Sequence, residues 1–120
     1  MSLAIIGSRN FSNYEDLERA VLKVLEKWGL SLSDLEKIVS GGALGVDKLA
    51  EKFAKKYSIE TVIFPADWKK GRAAGPIRNS LIVENCTHMI AFPSHTGSGT
   101  QDSIRKAEKK GIPLKVLWVN

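Results

Sequence analysis

The chain of 120 residues contains a single cysteine, Cys86. That rules out an intramolecular disulfide, and the paired spacing a zinc site needs is missing too. No apolar run approaches the roughly 18–20 residues of a membrane-spanning helix. The opening "MSLAIIGSRN" has no charged start, long apolar core or cleavage-like end, so no leader is expected. Neither G-x-G-x-x-G nor the G-K-[ST] ending of a P-loop occurs, which disfavours ordinary NAD-type and Walker-type nucleotide binding. Repeats, low-complexity tracts and linkers are also missing. These gaps predict a cytoplasmic protein in a reducing compartment, with no membrane contact, metal or cofactor.

What is present suits one globular domain over residues 1–120. The hydrophobic content of 43% fills a single core, and the charged content is 26%. The net charge of +5 comes from Lys and Arg spread along the chain, including "KKGR" at 69–72 and "RKAEKK" at 105–110. Most of these read as solvated helix faces, and a basic surface favours anionic partners without choosing among them.

Short apolar runs alternate with segments of helical period, the rhythm of βαβ units and a mainly parallel sheet. Five strands are expected, at 3–6, 37–40, 60–64, 88–92 and 114–119. Leu17, Val21, Val24, Leu25 and Trp28 lie on one face of a first helix that Gly29 ends. Leu49, Ala50, Phe53, Ala54 and Tyr57 form the inner face of a second. A third is expected to begin at Pro76 and a fourth to follow Thr100 and stop at Gly111. The fold class is therefore α/β: a doubly wound, Rossmann-like, five-stranded sheet with helices on both faces, whose ligands bind beyond the carboxyl ends of the strands.

Three of the loops at those ends carry chemistry. "GSRNF" offers Gly7, Ser8 and the planar cationic fork of Arg9. "SGGALGVDK" places Ser40, Gly41, Gly42 and Gly45 before a helix. These glycines remove Cβ atoms that would hold an anion away from backbone N–H groups, and Asp47 sits in the first helical turn. "FPSHTGSGTQD" repeats the device with Pro93, Gly97, Ser98, Gly99 and Thr100. The connection "PADWKKGRAAGPIRNS", 65–80, reads as a lid or rim in which Trp68 either stacks on a base or packs on the core, and Arg72 and Arg78 suit phosphate. His88 reads as structural. His95 has no partner at metal-ligand spacing, and the serines have no evident histidine–acid partnership.

Together these stretches resemble the YspA, or cpYpsA-related, branch of the SLOG superfamily. The matching segments are "GSR", "GGALGVDKLAEKFA", "FPADWKKGRAAGPIRNSLIVENC", "MIAFP", "GSGT" and "GIP". The resemblance implies a three-layer Rossmann-like domain that binds a nucleotide-derived ligand between the two glycine-rich loops, with Asn79 following the matched arginine. Two relatives bracket the function it implies. LOG phosphoribohydrolases release base from a nucleoside monophosphate using an arginine and a glutamate; here Arg78 matches the arginine, and the glutamate position falls on Gln101, Asp102 or Ser103, of which Asp102 is the carboxylate. DprA binds single-stranded DNA, which the net charge suits. Three functions follow: binding or sensing of a nucleotide-derived small molecule, N-glycosidic cleavage with Arg78 and Asp102 as catalytic residues, and nucleic-acid binding. Pairing through helix faces makes a homo-oligomer the expected assembly.

Overall fold

The computed structural model describes residues 1–119. Its strands are β1 (Ser2–Gly7), β2 (Lys37–Ser40), β3 (Glu60–Ile63), β4 (His88–Phe92) and β5 (Leu114–Val116), and its helices are α1 (Tyr14–Lys27), α2 (Val46–Lys56), α3 (Ala74–Glu84) and α4 (Gly99–Lys110). All five strands are parallel, in the order β3-β2-β1-β4-β5. The chain winds outward from β1 to β3, crosses back, and continues on the far side through β4 and β5. The winding therefore reverses between β1 and β4, and that switch point is where such sheets bind ligands.

Period-2 alternation along the strands builds two cores. Leu3 and Ile5 of β1, Ile38 of β2, and Ile90 and Phe92 of β4 face α1 and α2, which contribute Leu17, Val21, Val46, Ala50 and Phe53. Ala4 and Ile6, Val39, and Met89 and Ala91 face the opposite layer, where they meet Ile82 and Val83 of α3 and Ala107 of α4. Both faces of the central strands are buried, so they read as unbroken apolar runs rather than as alternation. Cys86 is buried in the second core, and burial pushes its thiol up to about 11. It is therefore a packing residue.

Three boundaries differ from the sequence reading. Helix α3 begins at Ala74, two residues before Pro76. Proline is tolerated at this third helical position because the first four N–H groups of a helix have no intrahelical acceptor. Most of the expected lid is itself helical: a 3₁₀ segment, Trp68–Ala73, capped by Asp67 and kinked at Gly71, runs directly into α3. Strand β5 ends at Val116, although Leu117 N–H still donates to Ala91 O at 2.8 Å and Val119 N–H to Pro93 O at 3.0 Å. The intervening Trp118 turns aside to stack on His95, with ring centroids 4.6 Å apart.

Gly45 joins the layers at the switch point. It caps α2 at φ 75°, a left-handed conformation that L side chains rarely adopt, and a Cβ there would overlap the Ser8 carbonyl and the Arg9 backbone. The same contact is held by Val46 N–H donating to Ser8 O at 3.1 Å. Gly45→Ala is expected to cost on the order of 2–4 kcal/mol in urea unfolding. A loss below about 0.5 kcal/mol would show that this junction is not tightly packed.

Candidate functional site

The carboxyl ends of β1, β2 and β4 open into a cleft of about 920 Å³ between the two glycine-rich loops, within the size range of small-molecule sites. Gly7, Ser8 and Arg9 form its floor at the end of β1, and Gly41, Gly42 and Asp47 one wall. Gly97, Ser98, Gly99, Thr100 and Asp102 form the facing wall, while Trp68, Arg72, Arg78 and Asn79 reach in from the 3₁₀ segment and α3. Three of the residues singled out from sequence stand behind the walls. Ser40 is fully buried, its Oγ accepting from Gly42 N–H and donating to Asp47 O, both at 3.2 Å, so it clips the loop to α2. Gly45 packs on the β1 end, and Pro93 is buried at the end of β4, where its carbonyl holds Val119.

The two glycine-rich loops differ in what fills the space their glycines leave. In the first loop the protein's own groups fill it. A Cβ at Gly41 would stand 2.6 Å from Arg78 Nη1 and 2.7 Å from Asp47 Oδ2, and one at Gly42 would stand 2.8 Å from Ile63. Its amides are also engaged, Gly42 N–H by Ser40 and Ala43 N–H by Asp47 Oδ2 at 3.2 Å. The second loop is the reverse case, because a Cβ at Gly97 or Gly99 would meet nothing within 4 Å. Both are exposed, and the Ser98 side chain makes no capping bond. The wall with open space is therefore the start of α4, and the first loop is largely self-satisfied.

A chain of hydrogen bonds ties the walls together. Arg78 Nη1 donates to Gly41 O at 2.9 Å and its Nε to Asn79 Oδ1 at 3.0 Å. Asn79 Nδ2 in turn donates to Gly99 O at 3.2 Å and to Asp102 Oδ2 at 3.1 Å. Asn79 is buried, so these partners satisfy a polar group that could not otherwise be removed from water cheaply. Lys106 closes the far end, donating to Asp102 Oδ2 at 2.8 Å and to Pro76 O at 2.7 Å.

The two carboxyl groups of the cleft are tuned in opposite directions. For Asp102, partial burial works to raise the carboxyl, but hydrogen bonds from Lys106 and Asn79 and the charges of Lys106 and Arg105 together outweigh it and hold the group below its ordinary range. It is a fixed anion. Asp47 is only 5% exposed, and burial pushes it from 3.8 up to about 6. The Ala43 amide, the Arg78 charge and the Gly7 amide oppose that rise, while Glu51 one turn along α2 adds to it. Arg78 does not neutralise Asp47 directly, since no ion pair forms between them.

The cationic side of the cleft exceeds what the sequence reading picked out. Arg9 and Arg72 are exposed, line the cleft and have no ion pair among the described residues. Arg105 also lines it, held 3.7 Å from Asp102. That arginine read as part of a solvated basic run, and its i,i+3 spacing from Asp102 on α4 is the signal that points it inward. Ser94 and Thr96 were likewise passed over, and they line the wall through the turn that precedes α4. Trp68 is 67% exposed, so its ring is free to stack rather than packed on the core.

The Asp47 environment sets a stability test. Its folded value lies above the unfolded one, so its contribution to stability is complete below about 3.8 and is lost as pH rises to about 6. Above that, the fold carries a buried anion. Asp47→Asn keeps the acceptor for Ala43 N–H and removes the charge. Its urea-unfolding stability relative to the wild type should therefore rise by on the order of 2 kcal/mol between pH 4 and pH 7. Parallel pH profiles for the two proteins would contradict this assignment.

Comparison with known proteins agrees with this architecture. Residues 1–71 match the model of the YspA, cpYpsA-related SLOG family. The gene 61 protein of Mycobacterium phage D29 is 32% identical over 84 residues, which span 64% of this chain and 67% of the phage protein. Among solved structures, DNA processing protein A from Streptococcus pneumoniae superposes with a TM-score of 0.69 at 23% identity, over 96% of this chain and 49% of that one. DNA processing protein A from Helicobacter pylori, described for its single-stranded DNA binding mode, gives 0.63 at 23% identity over 97% of this chain and 64% of that one. The structural-genomics target TM1055 gives 0.64 at 18% identity, over 94% and 71% of the two chains. The chain thus spans about half to two thirds of the DNA-processing proteins whose fold it shares. With the family model covering more than half of its length and the switch-point loops in place, the chain belongs to the YspA, cpYpsA-related SLOG family.

Proposed function

We propose that the cleft binds a nucleotide or nucleotide-derived small molecule. The observation that carries this reading is the pairing of unsatisfied cations with a free aromatic face in one cavity of about 920 Å³. Arg9, Arg72 and the free edge of the Arg78 guanidinium offer planar forks for phosphate, the exposed start of α4 offers N–H groups and a positive dipole end, and Trp68 offers a stacking surface for a base. Ligand phosphate lies between the free edge of Arg78 and Gly97–Thr100, where the glycines leave open space, and the base extends toward Trp68.

Two other readings have specific support. The Asp102 carboxylate, fixed as an anion by Lys106, suits the stabilisation of an oxocarbenium ion in N-glycosidic cleavage, with Arg78 orienting the substrate. The likeness to DNA processing protein A favours single-stranded nucleic acid, for which the exposed Trp68 beside Lys69, Lys70 and Arg72 is a stacking and charge platform. The first reading is preferred because the cleft is a bounded cavity closed on both sides by loops. Cytoplasmic placement and a homo-oligomeric assembly complete the proposal.

Thermal unfolding with AMP, ADP-ribose and a single-stranded oligonucleotide separates these readings. A ligand at about 100 times its dissociation constant adds roughly 2.7 kcal/mol, or several degrees in a domain of this size. The expected result is such a shift with a small nucleotide, reduced at least tenfold in affinity by Arg72→Ala and Trp68→Ala. A shift with the oligonucleotide alone, steeply weakened by salt, would transfer the assignment to nucleic acid. Free base in the AMP sample, lost in Asp102→Ala, would establish cleavage.

A further inference from the structure

Asp47 is a buried carboxyl that the reading above leaves without a role. Its side chain turns back from the second residue of α2 and places Oδ2 on the Ala43 amide, so the first glycine-rich loop already holds an anion of its own. A Cβ at Gly41 would stand 2.7 Å from the same oxygen and 2.6 Å from Arg78 Nη1, so the carboxyl and the guanidinium crowd one position that only glycine leaves open to them. Asp47 also lines the cleft. A second anion brought to Arg78 must therefore share one cationic fork and one loop with a carboxylate that is 95% buried and has no ion pair among the described residues.

We infer that capture of an anionic ligand group at the Gly41–Arg78 side of the cleft is proton-coupled, Asp47 taking up one proton as the group arrives. This rests on the nucleotide reading and sharpens it by naming the residue that sets the ligand's charge preference. The charged groups around Asp47 decide the direction. Arg78 from α3 favours its ionised form, as do the Gly7 and Ala43 amides, whereas Glu51 on α2 disfavours it and is itself met by Lys48 at 3.6 Å. Arg9 enters the cleft from the end of β1, and Asp102, Arg105 and Lys106 form their own cluster on α4. With the carboxyl already at about 6 before a ligand binds, an added negative charge moves it further up. Binding is then strongest below about pH 6 and weakens as pH rises toward the bound-state value. Protonated, Asp47 becomes a donor that hydrogen-bonds the incoming oxygen instead of repelling it.

Isothermal titration of AMP and of ADP-ribose between pH 5.5 and 7.5, in two buffers of different ionisation enthalpy, tests this. ADP-ribose is the cleaner probe, since its diester phosphates do not titrate in that range, whereas the AMP monoester does near pH 6. The wild type should bind about tenfold more weakly at pH 7.5 than at pH 5.5 and take up close to one proton from the buffer near pH 7. Asp47→Asn should bind ADP-ribose with an affinity that changes less than about twofold across that range, and should take up no proton from the buffer as it binds. Wild-type affinity for ADP-ribose that is flat with pH overturns the inference, and affinity that rises with pH does so as well, since it would mean an ionised Asp47 accepting from a ligand hydroxyl. The proton count on the wild type decides the matter even without the variant. Failure of both nucleotides to bind at any pH removes the nucleotide reading itself, a different outcome from pH-independent binding.

Discussion

The Arg78 guanidinium is the contact on which the rest of the site depends. One of its nitrogens holds the Gly41 carbonyl and another holds Asn79, whose amide carries the connection on to Gly99 and Asp102. Among the described residues, these two side chains carry the polar connection between the two loops on either side of the switch point. A planar fork suits this task in a way a lysine would not, because the two nitrogens leave the same rigid group in fixed directions. Asn79 is buried, so a change that removed all its partners would strand an amide out of water and release both loops together.

That bridge also explains why the two glycine-rich loops, so alike in composition, do different things. Gly41 gives up its Cβ to admit Arg78 and Asp47, and Gly45 gives up its own to admit the β1 end. Gly97 and Gly99 give theirs up to solvent-filled space. The cleft is thus asymmetric, with one wall crowded by the protein's own groups and the other open. Its two aspartates follow the same division. Asp102 is ionised among cations at the rim, whereas Asp47 is driven toward neutrality by burial at the base, and pairs of carboxyl groups pushed apart in this way commonly divide electrostatic and proton-handling roles.

Much of this was legible in the sequence. The five apolar runs, the one-sided periods of α1 and α2, and the residues that bound α3 and α4 (Pro76, Thr100 and Gly111) place the layers. The loops beyond β1, β2 and β4 follow from the rule that ligands bind at strand carboxyl ends. What periodicity could not carry was strand order, a long-range property, and it is the order that brings "GSR", "GGALG" and "GSGT" to one cleft. Nor could it show the burial of Asp47. A first-turn aspartate ordinarily reads as a charge at the helix dipole's positive end, and only the backward turn of this side chain over Ala43 removes it from water. Arg105 was hidden for a related reason, since a lysine- and arginine-rich helix face looks solvated until its first turn is seen folded beside a cavity. The start of α3 escaped because proline is acceptable anywhere in the first turn, and Ala74 and Gly75 carry no signal of their own.

The central claim, that a nucleotide-derived anion is held between these two loops, is tested most directly by following backbone amide shifts in a nitrogen-15-labelled sample as AMP is added. The account predicts saturable shifts concentrated at residues 97–100, 7–9 and 41–43, with the Trp68 indole N–H moving in step. Shifts that are absent, that fail to saturate, or that centre on the outward basic face of α4 around Lys109 and Lys110 would contradict it.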